Sequence, residues 1–222
     1  MEIKQSRKIP PFTGTKILCV GRNYKPHVEE LGNSIPKEPL WFSKPLSSII
    51  GSGEKIILPE GFGRIDYEGE MALVISKKAR NLSPNEALDF LEGVTVALDI
   101  TARELQKQDG QWTRAKGFDT FCPLGPFVVP FEKSWLEAEL TTELNGKTVQ
   151  KDSLSSLIFS VPTLLAHITR VMTLEPGDVI LTGTPAGIGP LKHGDVLKVK
   201  LSASSEIILE NFVISEKQSP VA

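Results

Sequence analysis

Three carboxylates lie in segments whose other residues are mostly apolar. Glu68 and Glu70 flank Gly69 at the start of one such segment, and Asp99 lies near the end of another, residues 94–100. Alternate residues of a strand point to the same face, so Glu68 and Glu70 can converge on one point. An unpaired buried carboxylate is costly, so Asp99 should be hydrogen-bonded, ion-paired or bound to a metal. Oxygen donors with no Cys or His nearby favour magnesium, manganese or calcium over zinc.

A histidine and a glutamate form a second candidate pair. His27 and Glu30 follow the first predicted strand, and Pro26 lies where a short helix would begin. Residues three apart are neighbours on one face of a helix. This spacing is what a histidine base oriented by a glutamate requires.

Further polar residues follow Asp99. Arg103 and Gln106 would share one helical face just beyond it, where arginine can bind a carboxylate and glutamine a carbonyl oxygen. Lys116 lies among aromatic and small residues, where it could stabilise an oxyanion or move a proton. The glycine-rich segment 182–190 leaves a strand but lacks the ending of a phosphate-binding P-loop.

Each of these patterns also has a purely structural explanation. The Glu-x-Glu pattern is typical of a solvated sheet face or of cross-strand ion pairs. His27 and Glu30 could be an incidental pair on a surface helix, Arg103 could form a structural salt bridge, and Lys116 could be a solvated loop residue. Residue types alone therefore leave the site open.

Composition excludes several classes of protein. The chain has 222 residues, a formal net charge of -2 and no basic block, so a nucleic-acid or anionic-membrane surface is not indicated. Cys19 and Cys122 form no Cys-x-x-Cys pair, which fits reduced thiols in the cytoplasm. No segment is apolar enough for a membrane span or a secretory signal. Neither Gly-x-Ser-x-Gly nor His-Glu-x-x-His occurs, which argues against a serine hydrolase or zinc peptidase.

Short apolar runs dominate the chain and predict the strands that position these residues. The predicted strands are residues 16–20, 40–42, 70–76, 94–100, 127–129, 179–182, 196–201 and 207–214. Asn145-Gly146 between two polar strands predicts a type I′ hairpin. Strands in several runs with few helices favour a β-rich α+β fold with one domain.

Helix signals are few. Ser83-Pro84-Asn85-Glu86 forms a capping box and predicts a helix that ends near Gly93. A second helix is predicted from about Ser160 to Met172, and a third from residue 101 to about residue 108.

Five motifs occur together in a fixed order. They are Gly21-Arg22-Asn23-Tyr24, Asp66-Tyr67-Glu68-Gly69-Glu70, Leu98-Asp99-Ile100-Thr101-Ala102-Arg103, Arg114-Ala115-Lys116-Gly117-Phe118-Asp119 and Leu181-Thr182-Gly183-Thr184-Pro185. In combination they resemble the fumarylacetoacetate hydrolase family, over about residues 16–214. The chain most resembles its short members, which include acylpyruvate hydrolases, oxaloacetate decarboxylases and oxaloacetate tautomerases.

The resemblance implies roles for individual residues. Glu68, Glu70 and Asp99 would bind magnesium or manganese, with calcium less favoured. His27 and Glu30 would form a water-activating dyad on a mobile lid, and Lys116 would be the active-site lysine. The residues expected to bind substrate are Arg22, Tyr24, Arg103, Gln106 and Thr184. The implied fold is a mixed β-roll that forms a homodimer, with a lead-in at residues 1–15, a catalytic domain at 16–216 and a tail at 217–222.

The resemblance also implies an activity on small 2-oxo acids. We expect cleavage of acylpyruvates to pyruvate and a carboxylic acid, or decarboxylation or tautomerisation of oxaloacetate, through a shared enolate. The segment from Asp119 to Pro126 also resembles bacterial isomerases and decarboxylases of 2-hydroxymuconate-type diacids, which leaves that reaction as an alternative. A non-catalytic relative that binds carboxylates is a further alternative.

Overall fold

The computed structural model describes residues 7–8 and 12–216. The strands are β1 (Arg7–Lys8), β2 (Ile17–Gly21), β3 (Leu40–Lys44), β4 (Ile49–Ile50), β5 (Lys55–Leu58), β6 (Ile65–Tyr67), β7 (Gly69–Ile75), β8 (Leu91–Leu98), β9 (Thr101–Ala102), β10 (Cys122–Pro130), β11 (Glu139–Leu144), β12 (Lys147–Ser153), β13 (Val179–Leu181), β14 (Gly189–Pro190), β15 (Val196–Ser202) and β16 (Glu206–Ser215). The α-helices are α1 (Lys25–Glu30), α2 (Arg103–Asp109), α3 (Thr113–Lys116) and α4 (Val161–Val171). Most of the predicted lead-in and all of the predicted tail lie outside the described residues.

The largest sheet curls round on itself. Its strand order is β1-β10-β8-β7-β13-β2-β3, and β4 pairs with β10. Only residues 45–48 separate β3 from β4, so the strand at one end of the order leads directly back to β10. A five-stranded sheet, β12-β11-β15-β16-β5, and a three-stranded sheet, β14-β6-β9, complete the described fold. The prediction of a β-rich α+β roll is confirmed.

The two faces of β7 pack into different apolar clusters. Met71 and Leu73 join the main core, which also includes residues of the five-stranded sheet and of α4. Ala72 and Val74 join a smaller cluster inside the curl. Because side chains alternate along a strand, Glu70 shares the inward face of Ala72 and Val74. The Glu70 carboxylate therefore lies at one end of the apolar interior of the curled sheet.

Each predicted strand overlaps an observed one, although Asp99 lies just beyond the end of β8, and the hairpin prediction is confirmed. Asn145 and Gly146 have φ of 53° and 77°, as a type I′ turn requires, and they join β11 to β12. The sequence prediction missed β5, a short strand that pairs in parallel with β16, and the two-residue strands β1, β4 and β14.

The helix predictions have mixed outcomes. The prediction from Ser160 to Met172 is confirmed by α4, whereas α2 begins only at Arg103, because residues 101–102 pair with β6 as β9. The helix predicted from the capping box is wrong. Residues 87–90 form a short 3-10 helix and β8 begins at once, although the Glu86 carboxylate accepts the Ser83 N–H at 2.8 Å. Pairing of β8 with β7 and β10 outweighs this local signal. None of the described helices is long and apolar enough to span a membrane.

Asp178 fixes the start of β13 to the segment before β2. Its carboxylate accepts the backbone N–H groups of Thr15, Lys16 and Glu175 at 2.7, 3.1 and 2.8 Å, and it also pairs with the Lys16 ammonium. Burial alone would raise the pKa of Asp178, but the Glu175 N–H, the Lys16 ammonium and Thr15 together lower it below its usual range.

We predict that Asp178→Asn lowers the free energy of unfolding by about 1–3 kcal/mol at neutral pH. A carboxylate whose pKa is lowered on folding contributes stability that is present above its unfolded pKa, about 4, and is lost as pH falls through the folded value. The difference between variant and wild type should therefore shrink below about pH 4. Urea unfolding at a series of pH values measures it, with Asp89→Asn at an exposed position as the control. A difference that stays constant to pH 3 would contradict this account.

Candidate active site

Three carboxylates converge at the mouth of the curl. Glu68 lies in the break between β6 and β7, and Asp99 directly follows β8. The Asp99 N–H donates to the Glu68 carbonyl at 2.8 Å, and Gly69 pairs with Leu98, so sheet register brings the two ends together. Oxygen atoms of Glu68, Glu70 and Asp99 all lie within 4.8 Å of one another, and the three side chains are buried. The convergence expected from the sequence is present.

Three cations surround two of these carboxylates. The Lys116 ammonium bridges Glu68 at 2.8 Å and Asp99 at 2.6 Å, and Lys44 donates to the other Asp99 oxygen at 2.6 Å. Arg103 contacts Glu68 at 2.6 Å. Burial would raise the pKa of Glu68, but Lys116 and Arg103 lower it below its usual range. Sequence reasoning did not find Lys44, which is fully buried in the structure.

Glu70 differs from its two neighbours because, among the described residues, it has no ion-pair partner. Its carboxylate accepts the Gly183 N–H at 2.6 Å. Burial, Asp99 and Glu68 raise the pKa of Glu70 well above its usual value. A buried, hard-oxygen site with one uncompensated carboxylate fits a divalent cation, since the added charge would relieve the repulsion among the three groups.

His27 and Glu30 form a hydrogen-bonded pair on α1. The His27 Nδ1 lies 3.3 Å from a Glu30 oxygen, and the Gly187 N–H donates to both Glu30 oxygens at 3.1 and 3.2 Å. Gly187 has φ of 100°, and a Cβ there would lie 2.0 Å from the Val149 carbonyl oxygen, so only glycine fits. His27 is 4% exposed. Because Nδ1 is engaged with Glu30, Nε2 is the nitrogen left for other chemistry.

A cavity of about 700 Å³ joins the carboxylates to the other candidates. Its lining includes Arg22, His27, Glu68, Glu70, Asp99, Arg103, Gln106, Lys116 and Thr184. Glu30, which holds His27, is not among the lining residues. Tyr24 is fully buried outside the lining, and its hydroxyl has no hydrogen-bond partner among the described residues.

Aromatic side chains form one wall of this cavity. Phe42 and Trp112 meet edge to face with ring centroids 5.2 Å apart, and Arg22 lies over the Trp112 ring at 6.0 Å. The Lys116 ammonium lies 4.9 Å from the Phe42 ring centroid. Arg22 has φ of 58°, which is uncommon for a residue with a side chain. The cavity lining therefore combines three carboxylates with an aromatic wall and the Arg22 cation.

Arg103 and Gln106 share a helical face, as their spacing predicted. The guanidinium donates to Asp66 at 2.7 Å, to Glu68 at 2.6 Å and to the Gln106 carbonyl oxygen at 2.9 Å. Each nitrogen of Arg103 is thus engaged with the protein. The Gln106 NH₂ group faces away from that bond and is left to donate to another oxygen.

Thr184 lies in the glycine-rich loop that follows β13. Its hydroxyl donates to the Gly69 carbonyl at 2.9 Å and accepts from Gln150 at 2.8 Å. A hydroxyl has one hydrogen to donate, so contact with a substrate carboxylate through that hydrogen requires it to leave Gly69. Sequence reasoning singled out Thr184 but not Gln150.

Comparison with known proteins identifies one family. The family model described as "Fumarylacetoacetate (FAA) hydrolase C-terminal" matches residues 16–213. The chain is 47% identical over 193 residues to "Oxaloacetate tautomerase fahd-1, mitochondrial" of Caenorhabditis elegans, covering 85% of this chain and 90% of that protein. It is 44% identical over 192 residues to "Oxaloacetate decarboxylase, mitochondrial" of Dictyostelium discoideum, covering 84% and 88%.

A solved structure shares the fold at similar identity. The crystal structure of 5-carboxymethyl-2-hydroxymuconate delta-isomerase from Mycobacterium smegmatis has a TM-score of 0.87 and 40% identity. The match covers 96% of this chain and 83% of that chain. Similarity in sequence and in structure therefore extends over nearly all of the described residues.

Proposed function

The chain belongs to the fumarylacetoacetate hydrolase family, and from this premise we propose that it is a divalent-metal-dependent enzyme acting on small 2-oxo acids. Its proposed reactions are tautomerisation or decarboxylation of oxaloacetate and cleavage of acylpyruvates. The observation that carries the proposal is one cavity lined by three buried carboxylates and by a histidine held by a glutamate. Relatives named oxaloacetate tautomerase and oxaloacetate decarboxylase support it.

The buried acidic cluster fits the divalent metal on which enzymes of this family generally depend. We propose Mg²⁺ or Mn²⁺, with Ca²⁺ less favoured, held by Glu68, Glu70 and Asp99. When bound, the ion would act as a Lewis acid that polarises the 2-oxo carbonyl.

Within this proposal, His27 moves the proton. Tautomerisation removes a proton from C3 of the 2-oxo acid and adds one to its 2-oxo oxygen, or the reverse, and Nε2 of His27 is the nitrogen available to carry that proton. Glu30 keeps the imidazole oriented, and Gly187 keeps Glu30 in place. In acylpyruvate cleavage the same pair would activate water for attack on the distal carbonyl.

Lys116 supplies charge in this scheme. Burial alone would lower the pKa of Lys116, but Asp99 and Glu68 raise it above its usual range. An ammonium that stays protonated suits stabilisation of an oxyanion better than removal of a proton. Of the two roles that the sequence left open for Lys116, we propose the first.

The remaining candidates would hold the substrate. We assign Gln106 to a substrate carbonyl oxygen because its NH₂ group has no acceptor among the described residues, and Arg22 to a second carboxylate because it lies at the cavity wall. Arg103 and Thr184 would act mainly through the bonds that they already make. Tyr24 is buried outside the cavity lining, so we assign it no direct contact with substrate.

A second candidate function rests on the size of the cavity. A volume of about 700 Å³ exceeds what a four-carbon diacid needs, and it would admit a longer diacid. The structural relative described as a hydroxymuconate isomerase has a comparable fold. Isomerisation or decarboxylation of a 2-hydroxymuconate-type diacid is therefore the alternative. A non-catalytic carboxylate-binding protein is disfavoured because the carboxylate cluster and the His27–Glu30 pair are both intact.

An assay panel with and without Mg²⁺ tests the proposal. The panel contains oxaloacetate, acetylpyruvate and a hydroxymuconate analogue, and it measures enol absorbance and pyruvate formation. We expect Mg²⁺-dependent loss of the oxaloacetate enol signal, or pyruvate from oxaloacetate or acetylpyruvate. Turnover of the muconate analogue alone would favour the alternative. Stabilisation by Mg²⁺ with no turnover of any 2-oxo acid would contradict an enzymatic role.

The resemblance also supports proposals about organisation. We propose that residues 16–216 act as one catalytic domain, that the protein forms a homodimer and that it works in the cytoplasm. Sedimentation equilibrium of the full chain measures the oligomeric state directly. A monomer at micromolar concentration would contradict the dimer.

A further inference from the structure

Gln150 is the only buried residue of β12, whose other residues are exposed or half-buried. It lies in β12 and is 1% exposed, whereas Thr148 and Lys151 of the same strand are exposed. The side chain crosses from the five-stranded sheet to the segment that carries the metal-binding candidates. A buried amide must be hydrogen-bonded to be tolerated there.

The Gln150 amide closes a ring of three hydrogen bonds. The Gly69 N–H donates to the Gln150 carbonyl oxygen at 3.0 Å, and the Gln150 NH₂ group donates to the Thr184 hydroxyl at 2.8 Å. The Thr184 hydroxyl in turn donates to the Gly69 carbonyl at 2.9 Å. The second hydrogen of the NH₂ group goes to the Pro185 carbonyl at 2.8 Å. Flipping the amide would set oxygen against oxygen at Pro185, so one orientation is required.

This ring joins two segments that carry the site. Gly69 lies between Glu68 and Glu70, so fixing its N–H and carbonyl fixes the path between the two carboxylates. A Cβ on Gly69 would lie 2.0 Å from the Thr142 hydroxyl, which shows how closely the hairpin approaches this peptide.

The other segment, residues 183–187, holds two site carboxylates from the opposite side. The Gly183 N–H donates to Glu70 at 2.6 Å, and the Gly187 N–H donates to Glu30 at 3.1 and 3.2 Å. Both donors flank the Thr184-Pro185 pair that Gln150 binds. One side chain therefore connects the Glu68–Glu70 segment to the loop that holds Glu70 and the histidine's partner.

We propose that Gln150 is a positioning residue. It sets the separation of Glu68 and Glu70 and the distance of the 183–187 loop from the segment that carries them. It touches neither substrate nor metal and acts through Gly69, Thr184 and Pro185. This inference rests on the proposed metal-dependent function. Residues that orient metal ligands typically change metal affinity or activity by about 10- to 100-fold when they are replaced.

The test compares Gln150→Met, which keeps the length and removes the hydrogen bonds, with Leu140→Ala. Leu140 is a fully buried residue of β11 in the same hairpin, so its truncation lowers stability without touching the ring. Mn²⁺ affinity of the full-length protein without substrate is measured by calorimetry, together with Tm and with kcat and KM for oxaloacetate. We expect Gln150→Met to weaken Mn²⁺ binding about 10- to 100-fold and to lower kcat. Leu140→Ala should lower Tm and leave the Mn²⁺ dissociation constant unchanged.

Equal Mn²⁺ affinity in Gln150→Met and wild type would overturn the inference, as would an equal loss of affinity in Leu140→Ala. If Gln150→Met does not fold, Gln150→Asn replaces it, because the shorter amide cannot span Gly69, Thr184 and Pro185 together. Failure of the proposed function has a different signature. Wild-type protein would then bind Mn²⁺ without turning over any 2-oxo acid, and the comparison of affinities would still decide the role of Gln150.

Discussion

Replacing Glu70 with glutamine is expected to abolish metal-dependent activity while leaving the metal-free fold about as stable as the wild type. Glu70 lacks a cation partner among the described residues, and burial, Asp99 and Glu68 already disfavour its charged form. A neutral amide of the same size keeps an oxygen for the Gly183 N–H and removes the repulsion. It also removes one of the three carboxylates. Loss of several kcal/mol of Lewis-acid stabilisation corresponds to roughly a thousandfold fall in kcat/KM.

Asp99→Asn is the matched comparison for Glu70→Gln. It removes a carboxylate from the same cluster, but Lys44 and Lys116 then lose their shared partner. Breaking a buried ion pair from one side costs about 3–5 kcal/mol. Both variants should therefore lose the rise in Tm with Mg²⁺ or Mn²⁺, whereas only Asp99→Asn should lower the metal-free Tm strongly.

Glu210→Gln controls for the change in net charge, since Glu210 pairs with Lys198 at the surface. Differential scanning fluorimetry with and without metal, together with the oxaloacetate assay, measures these effects. A rise in Tm with Mn²⁺ as large in Glu70→Gln as in the wild type would contradict its assignment as a ligand.

The sequence predicted the parts of the site that depend on local pattern. Carboxylates in apolar runs are conspicuous, and alternation along an extended segment places Glu68, which directly precedes β7, on the same side as Glu70. His27 and Glu30 were found because a helix brings residues three apart together. The strands themselves follow from runs of apolar residues, and each predicted run overlaps an observed strand.

Lys44 and Gln150 could not be found in this way because their burial depends on distant segments. A lysine at the end of a strand, before Pro45, is normally solvated, and its contact with Asp99 arises only when the sheet curls. Gln150 lies in a hairpin between half-buried Val149 and exposed Lys151, and its side chain is buried where it reaches Gly69. The helix predicted after Ser83 is wrong for a related reason. Pairing of β8 with β7, which the local capping box does not reflect, outweighs the helix signal.

Replacing His27 with alanine is expected to separate proton transfer from metal binding. Positioned acid–base groups contribute about 10²- to 10⁴-fold to rate, so tautomerisation of oxaloacetate should fall within that range. Mn²⁺ affinity should be unchanged, because His27 contacts Glu30 and lies outside the three-carboxylate cluster. His193→Gln is the control, since His193 is exposed in a turn and accepts the Ser215 N–H at 3.0 Å. Enol absorbance and calorimetry give the two readouts.

The reactions proposed for this site should respond differently to loss of His27. Acylpyruvate cleavage needs an activated water, so it should be lost in His27→Ala together with tautomerisation. Decarboxylation of oxaloacetate needs no water attack, and the polarised carbonyl is its electron sink, so it should survive to a larger extent. Glu30→Gln should show the same order with smaller losses, because the imidazole remains but loses its carboxylate partner. Undiminished acetylpyruvate cleavage in His27→Ala would contradict the dyad, and equal loss of all three activities would point to a role for His27 in holding the substrate.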